Sequence, residues 1–267
     1  MPATIPLQDT VVYGPIRSRR LGNSLGLNIL PLSHKVCSSN CVYCQYGWTL
    51  PAPPPKRLVG GPGNASGEQL KRADELLAEI EEAFTQHAEA GTIVDCITLA
   101  GNGEPTLHPD IEELVIGIKR LRDRYFPHAP VGILSDATQI TRPRVRRALE
   151  LLDARYMKFD AADEATWKRI NDPVGSTDFS AMIGALKAMP ETVLQSMFIQ
   201  GSYDNTDEAH VQRWIALVGS IKPLSVQVYT IDRGTAAEGI LEVPRDKLQA
   251  IADRLTSATG IPADVYD

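Results

Sequence analysis

Cys37, Cys41 and Cys44 stand in the run KVCSSNCVYCQYG, a C-x3-C-x2-C spacing. Three thiolates on one short loop can hold three irons of a [4Fe-4S] cluster, leaving the fourth iron open to a chelating small molecule. The competing chemistry is structural zinc, which prefers four closed ligands, often as two C-x2-C pairs. Here only Cys41 and Cys44 make such a pair, and His34, three residues before Cys37, is that alternative's candidate fourth ligand. The remaining cysteine, Cys96, lies in an apolar run and reads as a buried core residue. A second segment of interest is LAGNGEPTLHPD, residues 99–110. Gly101 and Gly103 let backbone approach a ligand closely, and Glu104 sets a carboxylate beside them.

Something must position these two segments, and the surrounding pattern says what. Strand-like runs occur at 24–32, 93–100, 131–135, 155–160, 193–200 and 225–231. Between them, helical spacing predicts helices from Leu70 through Phe84 and over 111–125, 144–152, 164–170, 179–189 and 209–221, with a closing helix at 245–259. Residues 51–63 are a connection rich in proline and glycine, and Ser66 with Gln69 reads as a capping box. Six β–α alternations imply an α/β chain with a parallel sheet and helical crossovers. A single full or partial (β/α) barrel accounts for this better than two domains, with a doubly wound open sheet as the alternative. In a barrel, functional groups sit at the C-terminal strand ends. The cysteine run follows the first strand, and residues 99–105 end the second.

Composition narrows the class. Of 267 residues, 43% are hydrophobic and 22% charged, which excludes a disordered, collagenous or disulfide-stapled chain. The apolar runs are strand-length, so no membrane span is expected. Met1 to Thr10 carries no secretory pattern, which predicts a cytoplasmic protein. A net charge of -6 argues against a dedicated nucleic-acid binder.

With its three-cysteine loop and Tyr43 just before the last cysteine, the chain resembles the radical S-adenosylmethionine (SAM) superfamily. The Gly101-Asn102-Gly103-Glu104 run resembles that superfamily's glycine-glycine-glutamate motif, with Asn102 inserted. The runs GPIRSRRLGNSLGLNILP, FDAADEATWKRINDP and VQVYTIDRG are similar to a single-domain branch near wyosine-synthase-type, tRNA-modifying enzymes. The resemblance implies a partial (β/α)6 barrel over residues 1–267 as one domain, with a [4Fe-4S] cluster and SAM as cofactors. It implies an iron-sulfur enzyme, oxidoreductase- or transferase-like, that cleaves SAM to methionine and a 5′-deoxyadenosyl radical, which takes a hydrogen from substrate. Cys37, Cys41 and Cys44 would ligate the cluster. Tyr43 would lie against adenine, and Gly101, Asn102, Gly103 and Glu104 would hold the SAM amino group. Ser135 and Asp136, at the third strand end, would meet its methionine or ribose part.

Further along, Lys158 and Asp160 alternate with Met157 and Phe159, which points both to one face. On the barrel interior they would bind the cofactor or another ligand or form an ion pair, and on the outside they would be solvated. Gln200 would meet adenine or ribose, and Gln227, Tyr229 and Asp232 would face substrate. Arg17, Arg19 and Arg20 have three readings: the SAM carboxylate, an anionic substrate, or solvent. Arg142, Arg144, Arg146 and Arg147 read as a solvated helix face, with tRNA phosphate the alternative. His108 and His128 read as surface residues. The acidic charge and single cluster point to a small-molecule or peptide substrate, with a reductant such as ferredoxin or flavodoxin. A tRNA substrate is the alternative, although wyosine enzymes carry a second cluster on further N-terminal cysteines and no cysteine here precedes Cys37. A glycyl-radical activase and a zinc-binding interaction module are the remaining readings.

Overall fold

The structure, a computed structural model, describes residues 4–49 and 70–267. The 51–63 connection and the Ser66 and Gln69 capping box lie outside the described residues. The chain opens with a hairpin, β1 (Val12–Ser18) and β2 (Gly22–Leu27). Then follow α1 (Ala73–Glu89), β3 (Cys96–Leu99), α2 (Ile111–Tyr125), β4 (Val131–Ser135), α3 (Pro143–Leu151) and β5 (Ala154–Lys158). Two helices, α4 (Glu164–Asn171) and α5 (Phe179–Lys187), precede β6 (Thr192–Met197) and a two-residue strand, β7 (Gln200–Gly201). The chain continues through α6 (Glu208–Ile221), β8 (Ser225–Tyr229), β9 (Ile240–Leu241), α7 (Arg245–Thr259) and β10 (Ala263–Tyr266).

Eight strands form one sheet in the order β1-β2-β3-β4-β5-β6-β8-β10. All neighbours pair parallel except β1 with β2. The sheet curls into an open half-barrel whose edges, β1 and β10, do not pair with each other. The six expected strands are all present and neighbour one another in sequence order. The hairpin strand β1 and the last strand β10 were not expected, and the sheet is wider by both.

The helices seal the convex side. On α1, Leu76, Ile80 and Phe84 recur every fourth residue and are fully buried, each stabilising by about 1.5–3 kcal/mol. Asp163, Asp178 and Asp207 cap α4, α5 and α6 by accepting the backbone N–H of Thr166, Ala181 and His210. Each strand is two-faced. Ile97, Ile133, Met157, Leu194 and Val228 pack into the helix-side core. Alternate positions, Ser24, Thr98, Lys158, Gln195 and Tyr229, line the hollow. A polar interior in an otherwise apolar sheet means that the hollow serves ligands rather than packing.

Candidate active site

The hollow is a cavity of about 490 Å³. Cys37, Cys41 and Cys44 line it, together with Gly101, Gly103, Glu104, Ser135, Asp136 and Lys158. Backbone joins the two motifs: Val36 N–H donates to Asn102 O at 2.8 Å, and Glu104 N–H donates to Val36 O at 2.9 Å. Gly103 makes that junction feasible. Its φ is +140°, and a Cβ there would stand 1.7 Å from the Val36 carbonyl oxygen. Gly103→Ala is therefore expected to cost about 3 kcal/mol, which at this chain length lowers the melting temperature by roughly 10 °C. An unchanged melting curve would contradict the junction.

Glu104 is 2% exposed, and both carboxylate oxygens accept hydrogen bonds. Ser135 Oγ donates to Oε1 at 2.9 Å, Thr106 N–H to Oε1 at 3.0 Å and Asp136 N–H to Oε2 at 2.6 Å. Burial, and then the Asp136 carboxylate, push its pKa up to about 8. Such a carboxylate is primed for a cation, which would restore its charged form. Asp136 in turn accepts from Ser38 Oγ at 2.9 Å and Ser39 Oγ at 2.7 Å, so the cysteine loop and the third parallel strand are tied together.

The thiols sit in unlike surroundings. Burial pushes Cys41 up to about 11, and burial followed by Asp136 pushes Cys37 well above the ordinary thiol value. Lys35 lies beside the third thiol, its Nζ 3.2 Å from Cys44 Sγ and donating to Gly47 O at 2.8 Å. Burial works against the Lys35 charge, but the sulfurs of Cys44, Cys37 and Cys41 outweigh it and hold the ammonium above the usual lysine range. A nearby fixed cation favours thiolate ligands.

Behind Cys41 lies a network that the sequence did not disclose. Asn171 Nδ2 reaches Cys41 Sγ at 3.5 Å, Tyr43 Oη at 2.9 Å and Asp160 Oδ2 at 2.7 Å. Tyr43 Oη also donates to Asp160 Oδ2. Lys158 Nζ lies 4.9 Å from the centre of the Tyr43 ring and donates to Tyr229 Oη at 3.1 Å. Burial pulls at the Lys158 charge, yet Asp160 outweighs it, so the ammonium stays protonated.

Comparison with known proteins settles the family. The Radical SAM superfamily model matches residues 33–212. The chain belongs to the radical SAM superfamily. Members use a [4Fe-4S] cluster and SAM, and these are the cofactors of this protein. Among relatives, a protein named GTPase Obg from Brachyspira hyodysenteriae is 30% identical over 97% of this chain and 35% of its own length. Among solved structures, a radical SAM methyltransferase from Sphaerobacter thermophilus superposes with a TM-score of 0.62 at 15% identity, over 91% of this chain and 65% of that one. TYW1 with a lysine-pyruvate adduct bound superposes at 0.61 and 14% identity, over 88% of this chain and 74% of that one. The chain thus spans about a third of the Brachyspira relative and just under two thirds of the methyltransferase. At those identities the superpositions establish the fold.

The residues present suit the family's cofactors. Three thiols, a lysine ammonium and a buried carboxylate face one cavity. Among the described residues, no three His, Cys, Asp or Glu side chains converge to chelate a single ion. His34 does not line the cavity; its Nδ1 meets Ser33 Oγ at 2.9 Å. Three residues expected at the cofactor have side chains placed elsewhere. Asn102 is fully buried and spends its amide on the chain before β1 and the turn after β2, bonding Gln8 and Pro31. Asp160 lies just past β5, underneath Tyr43 and Asn171, where it also accepts from Met197 N–H at 2.8 Å. Gln200 falls in β7, because β6 ends at Met197 and the chain turns to pair with β9.

Other placements differ less. Tyr43 does line the cavity, and Tyr229 with it. Gln227 accepts from Gln195 Nε2 at 2.7 Å. His108 is not a surface residue: it is fully buried and bridges Lys71 O and Asp110 N–H. His128 is exposed, and Cys96 is buried with its Sγ 3.2 Å from Leu21 O. Of the arginine cluster, Arg142 precedes α3 and the other three lie on it; Arg147 pairs with Glu112 at 2.8 Å and Arg146 with Glu150 at 3.0 Å at the surface. Among the described residues, no helix is long and apolar enough to cross a membrane.

Proposed function

We propose that Cys37, Cys41 and Cys44 hold the [4Fe-4S] cluster and that the Gly101–Glu104 loop holds SAM beside it. Bound there, cluster and SAM together supply a 5′-deoxyadenosyl radical that takes a hydrogen atom from substrate, at the expense of one electron from a ferredoxin- or flavodoxin-class reductant. The observation that carries this reading is the backbone junction between Val36 and Gly103–Glu104, which sets the cysteine loop against the buried carboxylate.

The protein's own contribution is position and electrostatics. Glu104 offers a carboxylate that gains by meeting the SAM ammonium. Ser135 and Asp136 hold Glu104 in place from β4. Lys35 offsets the negative charge of the ligating sulfurs, and Tyr43, fixed through Asp160 and Asn171, offers its ring as a wall for adenine. Lys158, held between Asp160, Tyr43 and Tyr229, places an ammonium on the wall of the hollow. A cavity of about 490 Å³ lies in the range of small-molecule sites. A small molecule or an extended peptide is the substrate class that the acidic net charge of -6 favours.

The test is reductive SAM cleavage. Anaerobically reconstituted protein given dithionite and SAM is expected to release 5′-deoxyadenosine, and no release would overturn the reading. Binding of tRNA that weakens steeply with salt would move the substrate to nucleic acid.

A further inference from the structure

We propose that the substrate carries an anionic group, a carboxylate or a phosphate, and that Arg20 is the residue that binds it. The inference rests on the radical SAM reading of the cavity and adds a substrate class to it.

The hairpin tip between β1 and β2 does not point away from the barrel. It reaches across the open side to the end of β8. Arg20 Cζ lies 4.3 Å from the centre of the Tyr229 ring, and Arg19 pairs with Asp232 at 3.3 Å. Arg20 therefore closes one wall of the cavity. Its Nη1 is shut off from water and has no hydrogen-bond acceptor among the described residues. No carboxylate pairs with its guanidinium among the described residues. Leaving a buried guanidinium N–H without an acceptor costs free energy, which the face of the Tyr229 ring offsets only in part.

Two of the cavity's carboxylates stand at one end. Glu104, which is buried, and Asp136, which is half-buried, lie beside the cysteine loop, where the SAM ammonium belongs. Asp232, the remaining acid on the lining, is taken by Arg19. Arg17 and Arg233, both exposed, join Arg20 on the lining; among the described residues neither meets a carboxylate, and Arg233 donates to Gln45 Oε1 at 3.3 Å. Stacking on Tyr229 fixes the plane of the Arg20 fork, which suits bidentate binding of a carboxylate or phosphate. Lys158, bonded to the same Tyr229, has its charge balanced by Asp160 at 3.9 Å, which leaves Arg20 as the cation on this wall.

Isothermal titration of reconstituted protein with inorganic phosphate and with malonate, with SAM present, tests this. Both arms read the anion site, and their ranking separates a phosphate from a carboxylate substrate. Arg20→Gln is expected to weaken the better anion by at least about tenfold while SAM affinity stays within about twofold. Arg20→Lys, which keeps the charge and loses the fork, is expected to fall between the two, and it reads the same site if the glutamine variant fails to fold. Three results would overturn the proposal: no anion binding to the parent protein, anion binding indifferent to Arg20, or a parallel loss of SAM affinity, which would give the guanidinium to the SAM carboxylate. If the parent protein makes no 5′-deoxyadenosine yet binds anions through Arg20, the radical reading has failed and this one has not.

Discussion

Cys41→Ala is expected to leave a folded protein that makes no 5′-deoxyadenosine. Cys41 is buried at 8% exposure and packs with Val42, Tyr43, Ile170 and Ile199 in a small cluster apart from the main core. Losing one sulfur there costs about 1 kcal/mol, a small part of the stability of a domain this size. The chemical cost is far larger. A cluster held by two thiolates in place of three is expected to assemble poorly, and the SAM-facing iron is no longer defined. Iron content should fall well below that of the parent, and SAM cleavage should be lost with it. Circular dichroism and melting curves separate this from simple unfolding. Turnover at the parent rate would remove Cys41 from the ligand set.

Glu104→Gln is expected to weaken SAM binding by roughly 10–100-fold, the scale of a lost charge-assisted hydrogen bond. The glutamine keeps the shape and can still accept from Ser135 and Thr106. Its amide nitrogen then faces the Asp136 N–H, donor against donor. The pH dependence provides a second signature. The ordinary glutamate value is 4.5, and in the fold Glu104 is pushed to about 8. Between those values the folded protein keeps a proton that the unfolded chain has lost. Stability from this group is present below about pH 4.5 and is lost as pH rises through about 8. Without SAM, the melting temperature of the parent should therefore decline across that window more than that of the glutamine variant. SAM should stabilise the parent most at the alkaline end, where its ammonium offsets the carboxylate. Identical pH profiles for parent and variant would mean that Glu104 does not carry the buried charge.

The cysteine loop and the glycine-glutamate run were legible because their chemistry is local: ligand spacing and glycine freedom need only neighbouring residues. The six parallel strands were legible because each is a short, largely apolar run set between segments of helical spacing, and burial of such runs under helices is what the fold uses to build its core. What escaped depends on distant contacts. Strand β1 holds Gly14, Pro15 and three charged or polar positions, so its sequence does not alternate, and its pairing with β2 creates the strand. Strand β10, Ala-Asp-Val-Tyr, has no fully buried residue and no apolar run, and its parallel pairing with β8 is what makes it a strand. Asn102 reads as a ligand when flanked by two glycines, yet Gln8 and Pro31 are what it meets. Gln200 seemed to end a strand, but β6 stops at Met197. Asn171 lies 130 positions from Cys41, and only the fold brings them together. Lys35, two residues before Cys37, is the one that loop chemistry alone had the means to find.

The central claim is that the three thiols hold an iron-sulfur cluster with one iron left for SAM. Metal and sulfide analysis of protein purified without oxygen tests it most directly. The account predicts about four irons and four acid-labile sulfides per chain, with no zinc. One zinc per chain, with no iron taken up on anaerobic reconstitution, would contradict it and return the cysteine loop to a structural role.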